Sequence, residues 1–362
     1  MAHDILLALE WYDYRIHRGV ARVAAREGWH LTCPSGRPGF QPVPEGWRGQ
    51  GAIALAGDGW LTALRRRRVA VVDIGLSASQ QVPRTVVDNQ AVADVAFAFL
   101  RERGWRSLAC VTVSGVRMLD ERREAFVARA GAAGLPCPVW ALEEVPRYLA
   151  SAAPVAVFAV QDTLGAQVQA VARRLGLSVP AQVAILGVDD MDLICQALPV
   201  PLASVDTDQE GLGVAAAERL ARILAGQPDN AGLVRHPPRG VVARASAEAF
   251  GTDHPGLRAA LDLAHLDPAC GIRALAAAAG LSPQGLDLVC QRELGLTPGI
   301  LLRRLRLQRA GDHLAQGRSL DQAAAAAGMA SASGLCAVVR RELGLTPAQW
   351  RQTLRVPERE SQ

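Results

Sequence analysis

The first 250 residues alternate short apolar runs with longer amphipathic stretches. The runs have the length of buried strands, which are expected at residues 5–9, 30–32, 51–56, 69–74, 108–113, 155–159 and 183–187. The stretches between them predict helices at residues 15–27, 91–103, 122–133, 164–175 and 211–224. Continuous apolar strands separated by helices of ten or more residues are typical of parallel, doubly wound α/β sheets, and this length of chain fits two of them.

After residue 226 the pattern changes. A polar, proline-containing stretch at 226–240 leads to a last short strand, expected at residues 240–243, and to a linker at 246–255. From there to residue 355 only helical periodicity remains, with helices expected at 256–266, 272–279, 283–294, 299–316, 320–327, 332–343 and after Pro347. The chain is therefore predicted to be α/β in its first part and all-α in its second.

A hexapeptide repeat divides the helical part. Glu-Leu-Gly-Leu-Thr-Pro occurs at residues 293–298 and again 49 residues later at 342–347. Each copy closes an Ala-rich helix, a tight turn and a second helix, which predicts helix-turn-helix units at 272–294 and 320–343. Ser282 and Ser331 stand at the N-cap positions of the two second helices. Two such units in one chain could contact two turns of DNA without a second subunit.

The charge distribution agrees with a nucleic-acid partner for the helical part. From Pro255 onward 13 arginines face nine acidic residues, whereas residues 1–254 carry 26 basic and 26 acidic side chains. The whole formal net charge of +4 therefore lies on the segment with the repeats. A positive surplus is what contact with phosphates requires, although this surplus is modest.

Other classes of protein find little support. The seven cysteines and seven histidines are scattered without metal-ligand spacing, so no metal or other cofactor is expected. No GxGxxG follows the first strand and no GxSxG is present, so the chain is not expected to be an enzyme. No secretory signal and no apolar run of about 20 residues occurs, which predicts a cytoplasmic protein without a membrane segment.

Residues 257–354 resemble the DNA-binding domain of the AraC/XylS family of transcription regulators. The resemblance rests on the run from LLRRLRLQRAGDHL through GMASASGLCAVVRRELGLTPAQWR, which follows the family's linker helix, second helix-turn-helix and closing segment. The sequence departs from the family where an aromatic pair is usual, because Gly334 and Leu335 stand there. The resemblance implies a DNA-binding domain over 256–355.

The front of the chain resembles the ligand-binding domain of LacI-type repressors and periplasmic sugar-binding proteins. The matching segments are VVDN at 86–89, FAVQD at 158–162 and LGVDD at 186–190. The resemblance implies a two-lobed, periplasmic-binding-protein-like sensor over residues 1–245. Its first lobe is expected at 1–103 and 205–227, and its second at 104–203 and 230–245. A sensor of this kind before an AraC-type domain is the arrangement of xylose-responsive members of that family.

An effector site is expected between the lobes. In doubly wound sheets ligands sit at the carboxyl ends of strands, and sugar hydroxyls need carboxylates, amides and arginines as fixed partners. By resemblance, Asp189 is the expected bidentate acceptor and Arg122 the guanidinium in the cleft. The supporting candidates are Asp13, Asn89, Gln161 and Asp162, with Trp11 and Tyr12 as stacking platforms. The alternative for Asp88 and Asp190 is that each caps the helix after it.

The candidate DNA-binding residues lie on the second helix of each unit. Placing Pro283 at the first helical position turns Gln284, Asp287, Leu288 and Gln291 toward the major groove. A shift by 49 residues gives Ser333, Cys336, Ala337 and Arg340, a face with few long polar side chains. We therefore expect the first helix to contact bases, and the second to anchor through Ser331, Arg340 and Arg341. Arg306 either pairs inside the domain, with Asp312 or Glu342, or touches DNA.

Together these features predict a sugar-responsive DNA-binding transcription regulator. The expected partners are a double-stranded operator, a monosaccharide such as D-xylose, RNA polymerase if the protein is an activator, and a second copy of the chain. The alternatives are a regulator that responds to another monosaccharide, a repressor and, more distantly, a solute-binding protein that does not bind DNA.

Overall fold

The computed structural model describes residues 3–34, 43–75, 82–229, 232–252, 254–315 and 317–354. They fall into two compact units. The first comprises Met1–Leu100 and Ser107–Ala249, and the second comprises Arg101–Arg106 and Phe250–Gln362.

The first unit contains two six-stranded sheets. Its strands are β1 (Asp4–Leu9), β2 (His30–Thr32), β3 (Gly51–Leu55), β4 (Ala70–Asp73), β5 (Arg84–Val87), β6 (Leu108–Thr112), β7 (Val139–Ala141), β8 (Val155–Ala159), β9 (Val183–Val188), β10 (Ala203–Asp206), β11 (Leu233–His236) and β12 (Gly240–Val242). The first sheet has the order β11-β5-β4-β3-β1-β2 and the second β12-β10-β9-β8-β6-β7. Among the described strands, all pairs are parallel except β10 with β12, as the apolar runs predicted.

Helices cover these sheets and form the second unit. They are α1 (Tyr14–Glu27), α2 (Asp58–Arg66), α3 (Asn89–Glu102), α4 (Arg117–Ala132), α5 (Val145–Ala152), α6 (Asp162–Arg174), α7 (Asp192–Cys195), α8 (Gln209–Leu224), α9 (Pro255–Leu266), α10 (Ile272–Ala278), α11 (Pro283–Leu294), α12 (Pro298–Ala315), α13 (Leu320–Ala326), α14 (Ala332–Leu343) and α15 (Pro347–Leu354). Short 3₁₀ turns occur at Leu142–Glu144 and Ala245–Ala247.

The two sheets define two lobes whose boundaries differ from those expected. Strand β11 pairs with β5 in the first sheet, although residues 230–245 were assigned to the second lobe. Helix α3 packs on the second lobe, because the ring of Phe97 lies edge-on to that of Phe126 in α4 and Asp94 pairs with Arg129. The chain therefore passes between the lobes at residue 88, at 207–208 and at 237–239. Sequence spacing does not reveal such crossings, which depend on how strands pair.

The first lobe is held by a close crossing of α1 and α8. A Cβ atom at Gly19 would collide with the carbonyl oxygen of Glu210, and one at Gly213 would collide with that of Ile16. Arg18 and Arg22 of α1 both pair with the Glu210 carboxylate of α8. This contact fixes the first turns of both helices, which face the second lobe.

In the second unit α12 belongs to two hydrophobic clusters. Its first half packs Leu301, Leu302 and Leu305 with the buried side chains of α9, α10 and α11. Its second half packs Leu307, Ala310 and Leu314 with α13, α14 and Trp350 of α15. Each helix-turn-helix unit thus has its own core, and one long helix joins the two cores.

Candidate effector site and DNA-binding surface

A buried arginine lies at the carboxyl ends of the second sheet. Arg122 of α4 donates from Nη2 to Oδ1 of Asp189 (2.8 Å) and from Nη1 to Oδ2 (3.2 Å). Its Nη1 also donates to the carbonyl oxygen of Val160 (3.1 Å), and its Nε donates to Oδ1 of Asn89 (2.9 Å). Arg122 is fully buried and Asp189 is 6% exposed. The structure therefore brings together three of the expected effector residues, in the bidentate geometry that suits a guanidinium and a carboxylate.

The Asp189 carboxylate is also tied to the connection between the lobes. Its Oδ1 accepts from Oγ1 of Thr207 (3.2 Å) and Nε2 of Gln209 (3.5 Å), and Gln209 Nε2 donates to Thr207 as well (2.9 Å). Gln209 is the first residue of α8, in the first lobe. These two residues were missed because β10 was not predicted. A weak signal was present, since the mostly apolar segment at 202–205 (LASV) is followed by polar residues, as are the runs before Gln161 and Asp189.

Asp162 supports the structure of the site, but its carboxylate is bonded to protein groups and does not act as a ligand-binding group here. Its buried carboxylate accepts from the backbone N–H of Met191 (2.7 Å) and from Oγ of Ser204 (2.6 Å). A Cβ atom at Gly187 would overlap its Oδ1, so the carboxylate fills the space beside β9. Burial raises the pKa of Asp162 to about 7, against the opposing effect of the Ser204 hydrogen bond. The carboxylate holds the turn that follows β9.

The candidates from the first lobe have other partners. Oδ1 of Asp13 caps α1 by accepting from the backbone N–H of Arg15 (2.8 Å), and the carboxylate also binds the Arg15 side chain. Trp11 and Tyr12 are 46% and 52% exposed, and the Tyr12 hydroxyl lies 3.0 Å from Nδ1 of His17. In the second lobe, Oε1 of Gln161 accepts from the Thr163 hydroxyl (3.0 Å). None of these side chains is hydrogen-bonded to Arg122 or Asp189 among the described residues, so their effector roles stay predictions.

Asp88 caps the helix that follows it, whereas Asp190 does not. Oδ1 of Asp88 accepts from the backbone N–H of Ala91 (3.1 Å) and so caps α3. Asp190 caps no helix; its Oδ1 pairs with Nη2 of Arg244 (2.7 Å), and its backbone N–H donates to the Ser204 hydroxyl (3.0 Å).

The first recognition helix, α11, has the predicted bounds and orientation. Ser282 caps it by accepting from the backbone N–H of Gly285 (3.0 Å). Leu286 and Cys290 are fully buried, whereas Gln284, Leu288 and Gln291 are exposed. Oδ2 of the partly exposed Asp287 accepts from Nε2 of Gln291 (2.9 Å). The exposed side is therefore polar around one large apolar side chain, Leu288, which is 69% exposed.

The second recognition helix, α14, repeats this scaffold. Ser331 caps it by accepting from the backbone N–H of Gly334 (3.1 Å), and Leu335 and Val339 are buried at the places of Leu286 and Cys290. Both helices end at a glycine with φ +68°.

The exposed side of α14 differs from that of α11. Ser333, Arg340 and Arg341 are exposed, and Nε of Arg341 pairs with Glu342 (3.0 Å). The helices that precede the turns, α10 and α13, are offset by 48 residues and not 49, so the second turn is one residue longer.

Arg306 is occupied inside the helical unit. Its Nε donates to the carbonyl oxygen of Pro268 (2.8 Å) and its Nη2 to that of Cys270 (2.9 Å). The guanidinium thus pairs with carbonyl groups in the loop after α9. This is a partner inside the domain, as one of the two alternatives had it, but it is backbone and not Asp312 or Glu342. The side chain of Asp312 lies outside the described residues, and Glu342 pairs with Arg303 and Arg341.

Within the described part of the chain, no group of three or more His, Cys, Asp or Glu side chains could hold a metal ion. No helix in the same part is long and apolar enough to cross a membrane.

Comparison with protein families gives one match in each unit. Residues 97–247 match the periplasmic binding protein-like domain, and residues 275–353 match a helix-turn-helix domain. The expected order, a periplasmic-binding-protein-like domain followed by a helix-turn-helix domain, is thereby confirmed.

Three relatives show how far the similarity extends. The chain is 25% identical over 327 residues to the xylose operon regulatory protein of Escherichia coli strain K12, covering 83% of each chain. A solved structure of a xylose-binding transcription activator superposes with a TM-score of 0.64 at 21% identity, over 98% of both chains. A LacI family regulator from Enterococcus faecium with bound ribose matches 69% of this chain and 100% of its own, with a TM-score of 0.57 at 19% identity. These relatives are transcription regulators and not enzymes.

Proposed function

We propose that this homologue of the xylose operon regulatory protein is a sugar-responsive transcription regulator. Its effector would be a monosaccharide, with D-xylose the first candidate, bound between the two lobes of the sensor. The observation that carries the proposal is the buried Arg122–Asp189 pair at the strand ends, in a chain that also has two helix-turn-helix units. The Escherichia coli relative and the xylose-binding activator support D-xylose as the first sugar to test.

The pair has the chemistry to recognise a hydroxyl group. Oδ2 of Asp189 accepts only from Arg122 among the described hydrogen bonds, so a lone pair remains for a donor. Nη2 of Arg122 donates one described hydrogen bond and carries a second N–H. One sugar hydroxyl could donate to the carboxylate and accept from the guanidinium. A buried site of this kind discriminates strongly, because an analogue without the hydroxyl leaves polar groups unpaired.

Closure of the lobes is the means by which the sugar would act. A ligand shifts a conformational equilibrium only by its differential affinity for the two states. Asp189 lies in the second lobe and its partner Gln209 lies in the first. A sugar bound at Asp189 would therefore be next to side chains of both lobes, and contacts with both are made only when the lobes are closed. We propose that closure changes how paired DNA-binding domains engage operator half-sites.

We further propose that the two recognition helices have different roles. Gln284, Asp287, Leu288 and Gln291 would contact base edges, since Gln pairs with adenine and an apolar side chain contacts the thymine methyl group. Ser282 and the residues Ser331, Ser333, Arg340 and Arg341 would anchor the protein, chiefly through phosphates.

The remaining parts of the proposal concern assembly and output. The protein would be a cytoplasmic homodimer joined through its sensor and would activate a sugar-catabolic operon with RNA polymerase. Repression, or response to another monosaccharide, is the alternative within the same architecture. A solute-binding role is disfavoured because the chain carries a complete helical unit with two capped recognition helices.

Thermal unfolding of the full-length chain with D-xylose, L-arabinose, D-ribose and D-glucose tests the proposal. A specific ligand raises the unfolding free energy by RT ln(1 + [L]/Kd), which amounts to about 2.7 kcal/mol at a hundredfold excess over Kd. Operator binding is measured in parallel on DNA selected from a random pool. Normal DNA binding without a shift from any sugar would overturn the sensor function, and sugar binding without any selected DNA would overturn the regulator function.

A further inference from the structure

The turn that presents Asp189 has an unusual backbone. Asp189 has φ +99° and Asp190 has φ +48°, both in the region that favours glycine. Such conformations persist only where the surroundings over-determine them. Within the second lobe, the backbone N–H groups of Asp190 and Met191 donate to Ser204 and Asp162 respectively.

The first lobe holds the same turn from the other side of the cleft. Nη1 of Arg15 donates to the carbonyl oxygens of Asp189 (2.6 Å) and Asp190 (2.9 Å). Tyr14, the residue before Arg15, makes a second contact with the second lobe: its hydroxyl donates to Oδ1 of Asp192 (3.1 Å). Both residues begin α1, which the α8 crossing fixes in the first lobe.

Asp13 aims the guanidinium at these carbonyl oxygens. Its Oδ1 accepts from Nε of Arg15 (3.1 Å) and its Oδ2 from Nη2 (2.8 Å), so Nη1 is left to face the turn. Burial disfavours the charged form, but the hydrogen bond and charge of Asp13 more than offset it and raise the pKa of Arg15. Arg15 therefore stays charged, and its orientation is fixed by Asp13 on one side and by the two carbonyl groups of the turn on the other.

We infer that Arg15 is a positioning residue for the effector: it holds the Asp189 turn in its ligand-binding shape from the opposite lobe, and only while the lobes are closed. This inference rests on the proposed function of Asp189 as the effector-binding carboxylate. When the lobes part, the carbonyl groups of residues 189 and 190 lose their charged donor and the strained turn can relax. Alignment of the carboxylate and closure of the lobes then become one event, without any contact between Arg15 and the sugar.

Arg15→Ala in the full-length chain tests this, with Arg26→Ala as the matched control. Arg26 lies near the other end of the same helix, and its exposed side chain pairs with Glu27 and Glu218 within the first lobe. Amide hydrogen exchange is followed with and without saturating D-xylose, and D-xylose affinity is measured by calorimetry. Arg15→Ala is expected to speed exchange at Asp190 and Met191 in the sugar-bound chain and to weaken D-xylose binding at least about tenfold. Arg26→Ala should change neither, and Arg15→Lys should recover part of both, because one ammonium group cannot also make the two-point contact with Asp13.

Two outcomes would overturn the inference. One is unchanged exchange at Asp190 and Met191 in Arg15→Ala when D-xylose is saturating. The other is unchanged D-xylose affinity in that variant while the wild type binds the sugar. If the wild type binds none of the sugars tested, the proposed function fails separately, and the exchange rates alone decide whether Arg15 holds the turn.

Discussion

Arg122 and Asp189 form a two-point ion pair in which Arg122 is fully buried and Asp189 is 6% exposed. The arginine comes from α4 and the aspartate from the turn after β9, 67 residues apart in the chain. Every nitrogen of the guanidinium has a partner in this structure. A charged group taken out of water persists only if it is paired and hydrogen-bonded, so each residue depends on the other.

Removing the arginine should therefore be costly. Arg122→Ala would leave Asp189 with only Thr207 and Gln209 as side-chain partners, and breaking a buried pair in this way typically costs about 3–5 kcal/mol. Arg123→Ala is the control, because that side chain is 25% exposed and pairs with Asp120 and Glu124 at the surface. It should cost less than about 1 kcal/mol. Urea unfolding measures both variants, and equal losses would contradict the structural importance of the buried pair.

The pH dependence of stability should depend on Asp162. Its pKa is about 7 in the folded chain against an ordinary value of 3.8, so the folded chain binds more protons than the unfolded chain between these values. The stabilisation of the folded chain that comes from Asp162 is therefore fully present below pH 3.8 and is lost as pH rises through about 7. Asp162→Asn keeps an oxygen for the Met191 N–H but does not titrate.

The test compares unfolding free energies of the wild type and Asp162→Asn. The advantage of the wild type should shrink by up to roughly 3 kcal/mol between about pH 5 and pH 8. Parallel curves over this range would show that Asp162 does not titrate there.

The crossing of α1 and α8 should reject any side chain at Gly19. The Cβ atom of Gly19→Ala would meet backbone atoms of Glu210 and Val214, which cannot move aside as a flexible side chain could. We expect a loss of about 1–3 kcal/mol, as for other overpacked interiors. In α2 of the same lobe, a Cβ atom at Gly59 would meet nothing within 4 Å. Gly59→Ala should be neutral or stabilising by up to about 1 kcal/mol, and thermal unfolding compares the two variants.

The two recognition helices should respond differently to truncation. Gln284→Ala should relax sequence preference, because it removes a side chain that can pair with a base edge. Arg340→Ala should weaken binding to all sequences. It should also make the negative slope of log affinity against log salt concentration shallower by about one. Selection from a random DNA pool and titrations at several salt concentrations measure both effects. A change of preferred base in Arg340→Ala would mean that the second helix also contacts bases.

The longer elements were predictable from local pattern. Helix α11 has the predicted bounds because its signals lie within a few residues: Ser282 at the N-cap, Pro283 in the first turn and Gly295 after the last. Strands β8 and β9 were found because both are continuous apolar runs. Strands β5, β7, β10 and β11 were missed, since each has only three or four residues and its identity depends on a distant pairing partner.

The effector candidates show the same division. Residue type and position after a strand pointed to Asn89 and Asp189, and the resemblance to LacI-type ligand-binding domains added Arg122; the structure joins all three by hydrogen bonds. The same reasoning also selected Asp13, but it could not reveal that Arg15, two residues later, takes up that carboxylate.

The sequence by itself determined the kind of protein: two parallel-sheet lobes, two helix-turn-helix scaffolds and a set of polar residues at strand ends. These follow from periodicity, capping and repeats, which act over a few residues. Only the tertiary structure decided where the chain passes between the lobes, which side chains share the buried ion pair and which residue reaches across the cleft to hold the Asp189 turn. Those features depend on contacts between segments far apart in the chain. Local sequence preferences act over a few residues, so they do not show which distant segments come into contact.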